Sequence, residues 1–222
     1  MNSLEKKYFD KLINKYLKKP FKLNNYQLSS PRPFSNNDLI EGLKVLIGGQ
    51  VTMSDITKKF ETEFAKYVGS KHALMVNSGS SANLLAFFAL INPEQKRRVV
   101  AGSNCILPAL CWSTSLWPIV QAGLIPKFAD INLSTLNIET SNLEELIDKK
   151  TKVILTVHVL GNSTNMGELK KIVDKNNLIL IEDTCESLGS RYNNKYLGTF
   201  GKFGTYSFYI SHQITSGEGG MI

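Results

Sequence analysis

The chain has 222 residues, of which 42% are hydrophobic and 20% charged, so it can bury one sizeable core and is too apolar to be a disordered chain. Lys and Arg outnumber Asp and Glu by 26 to 19, giving a net charge of +7. No apolar run approaches the ~20 residues that a membrane span needs, and the N-terminus lacks the apolar core of a secretory signal. We therefore expect a cytoplasmic protein with no membrane partner.

Positive charge is concentrated at the beginning of the chain, where the first 23 residues contain seven Lys and two acidic residues. A solvated helix face explains this better than nucleic-acid binding, because no basic and aromatic residues interleave further on. The three cysteines, Cys105, Cys111 and Cys185, fit neither a disulfide framework nor a zinc-binding spacing. We expect no nucleic-acid partner, no metal site and a reducing compartment.

The first elements are predicted to be three helices. Apolar residues at helical spacing predict an amphipathic helix over 8–17, and prolines punctuate the stretch that follows it. Ser35 is expected to cap a second helix that ends at Ile47. A third helix begins near Ser54 and is stopped by Gly69.

After these helices, predicted strands and helices alternate. The predicted strands cover 72–76, 98–102, 125–130, 152–159, 178–183, 204–210 and 217–222. The predicted helices cover 80–90, 113–121, 141–147 and 166–174. Because the strands are continuously apolar, we predict an α/β fold with a mostly parallel sheet and helices on both faces. The expected organisation is a helical arm over 1–48 and a large domain over 49–222.

The segment VNSGSSANLL, residues 76–85, follows a predicted strand and opens a predicted helix. Ser78, Gly79, Ser80 and Ser81 therefore lie where backbone N–H groups and the helix dipole favour an anion. Gly79 would let the backbone approach closely, and the hydroxyls add donors. The alternative is a serine-rich N-cap, which the motif taken alone favours because such turns are common.

Two carboxylates, Glu182 and Asp183, end the most apolar predicted strand. A carboxylate at the carboxyl edge of a parallel sheet faces the usual ligand crevice. If buried, it needs a cationic or hydrogen-bonding partner, and a protonated ring nitrogen of a cofactor would serve. Capping of the next turn is an equal alternative.

Other candidates follow two strands and end the chain. Trp112 could stack on a planar ring, although core packing is the commoner role of an isolated Trp. His158 ends a strand and either faces the crevice or is a structural histidine. In SFYISHQITSGEGG, residues 207–220, Ser207 is a candidate phosphate donor and His212 a candidate base.

These motifs, in this order, resemble the DegT/DnrJ/StrS-type sugar aminotransferase family, fold-type I enzymes that depend on pyridoxal phosphate and act on nucleotide-linked keto-sugars. The resemblance runs from about Gly49 to Ile222. It is carried by FETEFAKYVGSKHALMVNSGSSANLL, PALCWSTS, GLIPKFADINLSTLNI, VHVLGN, IEDTCESLGS and GTYSFYISHQITSGEGGMI. It implies the fold-type I large domain. Because the chain stops inside an apparent strand, and family members continue into a small C-terminal domain, we expect a fragment that lacks that domain.

The resemblance implies a phosphate site. Ser80, Ser81 and Ser207 would hold the phosphate of pyridoxal 5'-phosphate or pyridoxamine 5'-phosphate, and Gly79 would allow its close approach. It also implies a nucleotide-sugar substrate and a homodimer, since family members build each active site with residues from two subunits.

The resemblance likewise implies contacts to the cofactor ring. Trp112 would stack on the pyridine ring, and Asp183 would pair with the ring nitrogen and keep it protonated. That proton makes the ring an electron sink. Glu186 stands near the ring oxygen, at a position where the family's aminotransferases usually have Gln.

His212 is the main departure from the family's aminotransferases, because it occupies the position of the lysine that attaches the cofactor covalently. Imidazole cannot form that bond, but it can act as a general base near neutral pH. The change resembles the family's branch of 4-keto-6-deoxy-sugar-nucleotide 3-dehydratases, which use the amine form of the cofactor. His212 would then remove a proton from the exocyclic carbon of the cofactor while the 3-hydroxyl of the sugar leaves.

We therefore expect a dehydratase that supplies deoxysugars for surface polysaccharide. Two alternatives stay open: an aminotransferase in which another lysine such as Lys202 serves, and an inactive fragment that only binds or dimerises. The sequence leaves open the nucleotide, the sugar and whether a reductase partner acts next.

Overall fold

The computed structural model describes residues 2–16, 33–96 and 98–222. The chain divides into two compact units, Met1–Lys58 and Lys59–Ile222. Leu17, at the end of the first predicted helix, and most of the proline-containing stretch after it lie outside the described residues. No helix in the described part of the chain is long and apolar enough to cross a membrane.

The first unit contains helices α1, Ser3–Tyr16, and α2, Asn36–Ile47. The predicted cap of α2 is confirmed: Ser35 Oγ accepts a hydrogen bond from the backbone N–H of Asp38, whose side chain accepts from the backbone N–H of Ser35. Helix α3, Asp55–Val68, begins in this unit and ends in the second. Gly69 follows α3 with a φ of +77°, a conformation that glycine adopts without strain.

A seven-stranded sheet forms the frame of the second unit. Its strands are β1 (Met75–Val76), β2 (Asn104–Pro108), β3 (Ile125–Ala129), β4 (Thr151–Val157), β5 (Ile179–Asp183), β8 (Phe203–Ser207) and β9 (Gly220–Met221). They lie in the order β1-β9-β8-β5-β4-β2-β3, and only β9 is antiparallel to its neighbours. The carboxyl ends of all the other strands therefore meet at one edge.

Helices cover both faces of this sheet, as predicted. They are α4 (Gly79–Ile91), α5 (Ser113–Gln121) and α6 (Met166–Lys175). On one face, α4 and α5 bury Phe87 and Ile119 in a core shared with Leu155 of β4. On the other face, α6 buries Leu169 against Ile154 of the same strand. Adjacent strand residues thus serve opposite cores, which explains why the strands read as continuously apolar.

Two predicted elements are wrong in position or type. The strand expected over 98–102 lies instead at β2, because Val99 donates its N–H to the end of α4, at Leu90 O, rather than to a strand. The helix expected over 141–147 is a single 3-10 turn, Leu143–Leu146, and its N-cap residue makes no side-chain capping bond. The strands expected over 72–76, 204–210 and 217–222 are shorter than predicted.

Neither the short 3-10 helix Val159–Gly161 nor a hairpin after β5 was predicted. Strands β6, Arg191–Tyr192, and β7, Lys195–Tyr196, form a two-stranded hairpin apart from the main sheet. Its two-residue turn is Asn193-Asn194, with φ of +47° and +64°. Asn tolerates positive φ better than most residues, and such turns match the twist of a hairpin.

Candidate active site

The carboxyl edge of the sheet brings together residues from three separate sequence motifs. Strand β5 ends at Asp183, strand β8 ends at Ser207, and α4 begins at Gly79 shortly after β1. A Cβ atom on Gly79 would lie 2.7 Å from both Cys185 Sγ and Ser207 Cβ. The absence of a side chain at Gly79 is therefore what lets the beginning of α4 pack against the ends of β5 and β8.

The beginning of α4 is both capped and open to an anion. Ser78 is the N-cap residue, and its Oγ accepts a hydrogen bond from the N–H of Ser81 at 3.1 Å, so the capping alternative is confirmed for Ser78. An α-helix leaves its first N–H groups without intrahelical partners, and this cap satisfies one of them. The N–H groups of Gly79 and Ser80 remain at the positive end of the helix dipole.

Hydroxyl groups surround these N–H groups. Ser80 Oγ donates to Thr114 Oγ1 at 3.1 Å, which ties the beginning of α4 to that of α5. Ser207 Oγ accepts from the N–H of Tyr209 at 3.2 Å, so the hydroxyl proton of Ser207 is not used in that bond. The arrangement combines backbone N–H groups, hydroxyls and the helix dipole, which together suit a phosphate.

Asp183 is a buried carboxylate, 5% exposed, that is held by neutral donors. Its Oδ2 accepts from Asn83 Nδ2 at 2.8 Å and from Ser115 Oγ at 2.7 Å. Its Oδ1 accepts from the N–H of Cys185 at 3.2 Å, so Asp183 also caps the next turn. A carboxylate offers about four acceptor positions, so these three bonds leave capacity for one more donor.

Glu182 points to the other face of the sheet, because adjacent strand residues alternate. It is fully buried, and it accepts hydrogen bonds of 2.6–2.9 Å from backbone N–H groups of the 198–201 loop. Its Oε2 also lies 3.2 Å from His158 Nε2, while His158 Nδ1 accepts from the N–H of Thr164 at 3.2 Å. Both ring nitrogens are satisfied in the interior, so His158 is a structural histidine and the crevice alternative is wrong.

Trp112 lies at the rim of this edge, immediately before α5. Its side chain is 72% exposed, so the core-packing alternative is wrong. The backbone carbonyl of Trp112 accepts from the N–H of Ser115 at 2.9 Å, and Ser115 Oγ in turn binds Asp183. Trp112 therefore lies three positions before Ser115, a hydrogen-bond partner of the buried carboxylate.

His212 follows β8 on a loop that is tied to the segment after β5. Its backbone N–H donates to Tyr209 O at 3.0 Å, and the two rings meet edge to face with centroids 5.9 Å apart. The next residue, Gln213, donates from Nε2 to Glu186 O at 2.5 Å. Glu186 Oε2 accepts from the N–H of Leu160 at 3.2 Å.

One ring nitrogen of His212 is buried without a partner. Within the described part of the chain, His212 Nδ1 makes no hydrogen bond. Buried polar atoms are nearly always hydrogen-bonded, so an orphaned one points to a strained or functional site or to a missing partner.

Lys202, the alternative lysine, lies at the wrong end of its strand. It immediately precedes β8, and its N–H donates to Leu180 O at 2.8 Å near the beginning of β5. At about 3.3 Å per residue, five residues place it about 16 Å from Ser207. Its Nζ lies 5.8 Å from the centroid of the Phe203 ring. The amine of Lys202 is therefore outside the cluster at the carboxyl edge.

The cysteines near the site are not activated. Burial, followed by the charge of Asp183, raises the pKa of the Cys185 thiol well above its ordinary value. The same two causes raise the pKa of Cys111. Both thiols therefore stay protonated at neutral pH. Residues 2–16, 33–96 and 98–222 contain no group of three or more His, Cys, Asp or Glu that could hold a metal ion.

Three residues that surround Asp183 were not among the predicted site residues. Asn83, Ser115 and Thr205 are all buried beside it. Asn83 left one signal, since it is a polar residue inside the otherwise apolar helix segment NLLAFFAL. Ser115 and Thr205 left none, because small hydroxyl residues are common throughout the chain.

The chain belongs to the DegT/DnrJ/EryC1/StrS aminotransferase family, whose model matches residues 35–222. It is 48% identical over 178 residues to GDP-4-keto-6-deoxy-D-mannose 3-dehydratase of Escherichia coli O55:H7, covering 80% of this chain and 46% of that protein. It is 42% identical over 182 residues to the protein of the same name from Yersinia pseudotuberculosis, covering 81% and 45%. The predicted family is confirmed.

The fold is shared with solved members of the same group. The E. coli GDP-4-keto-6-deoxy-D-mannose-3-dehydratase with bound hydrated PLP superposes with a TM-score of 0.84 at 45% identity, covering 89% of this chain and 50% of that one. The predicted large-domain architecture is therefore confirmed. The chain spans about half the length of the curated relatives it matches.

Mutations can distinguish the residue of the SGSS motif that caps α4 from those available to an anion. Ser78→Ala is expected to lower the free energy of unfolding by about 1 kcal/mol, because it removes the N-cap acceptor. Ser80→Ala is the matched control. It should change that free energy by less than about 0.5 kcal/mol, because Ser80 is exposed and its bond to Thr114 can be replaced by bonds to water. Urea denaturation without ligand measures both. Equal losses in the two variants would contradict the assignment of Ser78 as the cap.

Proposed function

We propose that this chain is part of a 3-dehydratase that acts on a nucleotide-linked 4-keto-6-deoxy sugar with pyridoxal or pyridoxamine phosphate as cofactor. The observation that carries the proposal is His212, an imidazole with a buried, unpartnered Nδ1, in the position where the family's aminotransferases have a lysine. The names of the two curated relatives favour a GDP-linked 4-keto-6-deoxymannose as the substrate. The product would serve deoxysugar biosynthesis for surface polysaccharide, in the cytoplasm.

The beginning of α4 fits the phosphate of the cofactor. The N–H groups of Gly79 and Ser80 would donate to phosphate oxygens, and the hydroxyls of Ser81 and Ser207 would add further donors. The Ser80 hydroxyl would do the same by giving up its bond to Thr114. Hydrogen bonds to a charged group are each worth roughly 1.5–3 kcal/mol, so this set would account for much of the cofactor's affinity. The chain's own Ser78 cap holds these donors in place.

The ring of the cofactor fits between an aromatic and a carboxylate. Asp183 keeps a free acceptor position and carries a negative charge that its three neutral donors do not cancel. A protonated pyridine nitrogen supplies both the missing donor and the missing positive charge. Trp112 would stack on the ring, and Glu186, fixed by the N–H of Leu160, would face its ring oxygen.

The residues of the chain then divide the chemistry. When bound, pyridoxamine phosphate supplies a primary amine for the keto group of the sugar and a ring that accepts electrons. Asp183 keeps the ring nitrogen protonated. His212 would accept, at an imidazole nitrogen, the proton lost from the exocyclic carbon, and the electron pair released there would expel the 3-hydroxyl of the sugar as hydroxide. A base at the position of the attachment lysine favours elimination over amino-group exchange.

A homodimer is proposed because the helices over one face of the sheet expose apolar side chains. Leu85 and Phe88 share a face of α4, and Trp117 and Val120 share a face of α5. These four side chains are 43–54% exposed, and α4 packs beside α5. Clustered apolar exposure of this kind marks interaction surfaces, and the partner subunit would cover it.

The dehydratase proposal is tested by covalent trapping. The chain is incubated with pyridoxal phosphate and reduced with borohydride, and its mass is then measured by mass spectrometry. We expect no pyridoxyl group on any lysine of the native chain, because His212 takes the place of the attachment lysine and Lys202 lies outside the cluster. His212→Lys is the positive control, since it places an amine at that position and should gain one pyridoxyl group.

The same experiment has a catalytic arm. With pyridoxamine phosphate and GDP-4-keto-6-deoxymannose, His212→Ala should lower the rate of 3-hydroxyl loss by ~10²–10⁴-fold, as expected for removal of a general base. A pyridoxyl group on a native lysine such as Lys202 would overturn the dehydratase proposal in favour of an aminotransferase. Failure to retain the cofactor would favour a protein that only binds or dimerises.

The dimer is tested by light scattering. The native chain should scatter as a dimer or a larger species, and Phe88→Asp should shift it towards monomer because the charge would be buried at the interface. Leu133→Asp is the control, because Leu133 is 86% exposed and lies on neither helix. A native chain that is monomeric and binds the cofactor would contradict the proposed dimer.

A further inference from the structure

Asn83 links three elements of the site. It lies inside α4 with 1% exposure, its Nδ2 donates to Asp183 Oδ2 at 2.8 Å, and its Oδ1 accepts from Thr205 Oγ1 at 2.7 Å. Nδ2 also donates to Thr114 O at 3.4 Å. The residue after Thr114 is Ser115, whose hydroxyl binds Asp183. All of the amide's hydrogen-bonding groups are therefore used in the interior.

We propose that Asn83, oriented by Thr205, is a positioning residue that holds the Asp183 carboxylate in the direction that the ring nitrogen of the cofactor requires. The inference rests on the proposed function, because it concerns the same ring. It adds residues that neither the sequence motifs nor the family resemblance assigned.

Thr205 determines which way the amide faces. The two ends of an Asn side chain have nearly the same shape, but one only accepts hydrogen bonds and the other only donates. The Thr205 hydroxyl lies 2.7 Å from Asn83 Oδ1 and 3.4 Å from its other acceptor, Glu182 O, so it donates to Asn83. With its oxygen held there, Asn83 must present its NH₂ group to Asp183. The reversed amide would set an oxygen against a carboxylate.

Two donors converge on one oxygen of Asp183. Asn83 Nδ2 and Ser115 Oγ both bind Oδ2, while Oδ1 receives a longer bond, 3.2 Å, from the N–H of Cys185. This asymmetry restrains rotation of the carboxylate about its Cβ–Cγ bond. Because every donor is neutral, the network stabilises the negative charge without cancelling it. A Lys or Arg in place of Asn83 would bring a positive charge that cancels the negative charge of Asp183, and this would remove the preference for a protonated ring.

A purely structural role for Asn83 makes a different prediction. If Asn83 only filled space or tied helices together, its loss would disturb any ligand that occupies the site. If it acts through Asp183, its loss should matter only to a ligand that has a ring nitrogen. The pair of ligands that separates these cases is pyridoxamine 5'-phosphate and its 1-deaza analogue, in which a CH group replaces the ring nitrogen.

The test measures the dissociation constants of both ligands by calorimetry. Asn83→Leu should lower the affinity for pyridoxamine phosphate by about tenfold or more. It should change the affinity for the deaza analogue by less than about twofold. Thr205→Val should act in the same direction, and Thr205→Ser, which keeps the hydroxyl, should restore the native preference. Should Asn83→Leu not fold, the Thr205 pair decides the question alone.

Thr156→Val is the matched control. It removes another fully buried threonine hydroxyl, on β4, whose partner is Thr164 Oγ1 at 2.8 Å and not a site residue. It should leave the preference for the nitrogen-containing ligand unchanged.

The outcomes separate this inference from the proposed function. Equal weakening of both ligands by Asn83→Leu and Thr205→Val, while Asp183→Asn still abolishes the preference, would overturn the positioning role and leave the function standing. A native chain that does not prefer pyridoxamine phosphate over the deaza analogue would overturn both.

Discussion

The site depends on one buried negative charge. Asp183 ends β5 almost out of contact with water, yet the hydrogen bonds that reach it come from an amide, a hydroxyl and a backbone N–H, all neutral. Removing a carboxylate from water is costly unless it is paired, so this position is balanced best by a ligand that brings a positive charge. Sheet register, the two helix beginnings and the proposed chemistry are all arranged around that requirement.

The last two side chains of β5 point to opposite faces of the sheet and have different surroundings. Glu182 faces the opposite core, where it receives backbone N–H groups of the 198–201 loop and the ring of His158. It thereby secures the segment that leads into β8. Asp183 faces the helices α4 and α5 instead. A single strand thus carries one carboxylate that stabilises the fold and one that lies at the candidate site.

Close approach of the backbone connects the phosphate and ring regions. Gly79 packs against Ser207, and Gly220 is a second position of close approach. A Cβ atom on Gly220 would lie 2.3 Å from Ser78 O. Larger residues at these two positions would push α4 away from β8 and β9. Because Asn83 is one turn further along α4, the same helix placement sets both the N–H groups proposed for the phosphate and the hydrogen bond from Asn83 to Asp183. Loss of either glycine would therefore affect both parts of the site.

Local patterns predicted the parts of this structure that local chemistry determines. The SGSS turn, the carboxylates after an apolar strand and the alternation of strands and helices could all be read from the sequence, because each depends on neighbouring residues. The strand misplaced at 98–102 shows the limit: Val99 is apolar and buried, but its hydrogen bond goes to a helix end. Asn83 and Asp183 are 100 residues apart in sequence, so their pairing follows only from the tertiary fold.

Protonation of the ring nitrogen tests the central claim most directly. The ¹⁵N chemical shift of ring-labelled pyridoxamine phosphate would be followed against pH in complexes with the native chain and with Asp183→Asn. We predict that the native complex keeps the ring nitrogen protonated well above the pH at which the free ligand loses that proton, because the Asp183 charge favours the protonated form. The Asp183→Asn complex should lose the proton at lower pH. A ring nitrogen that titrates identically in both complexes would contradict the account.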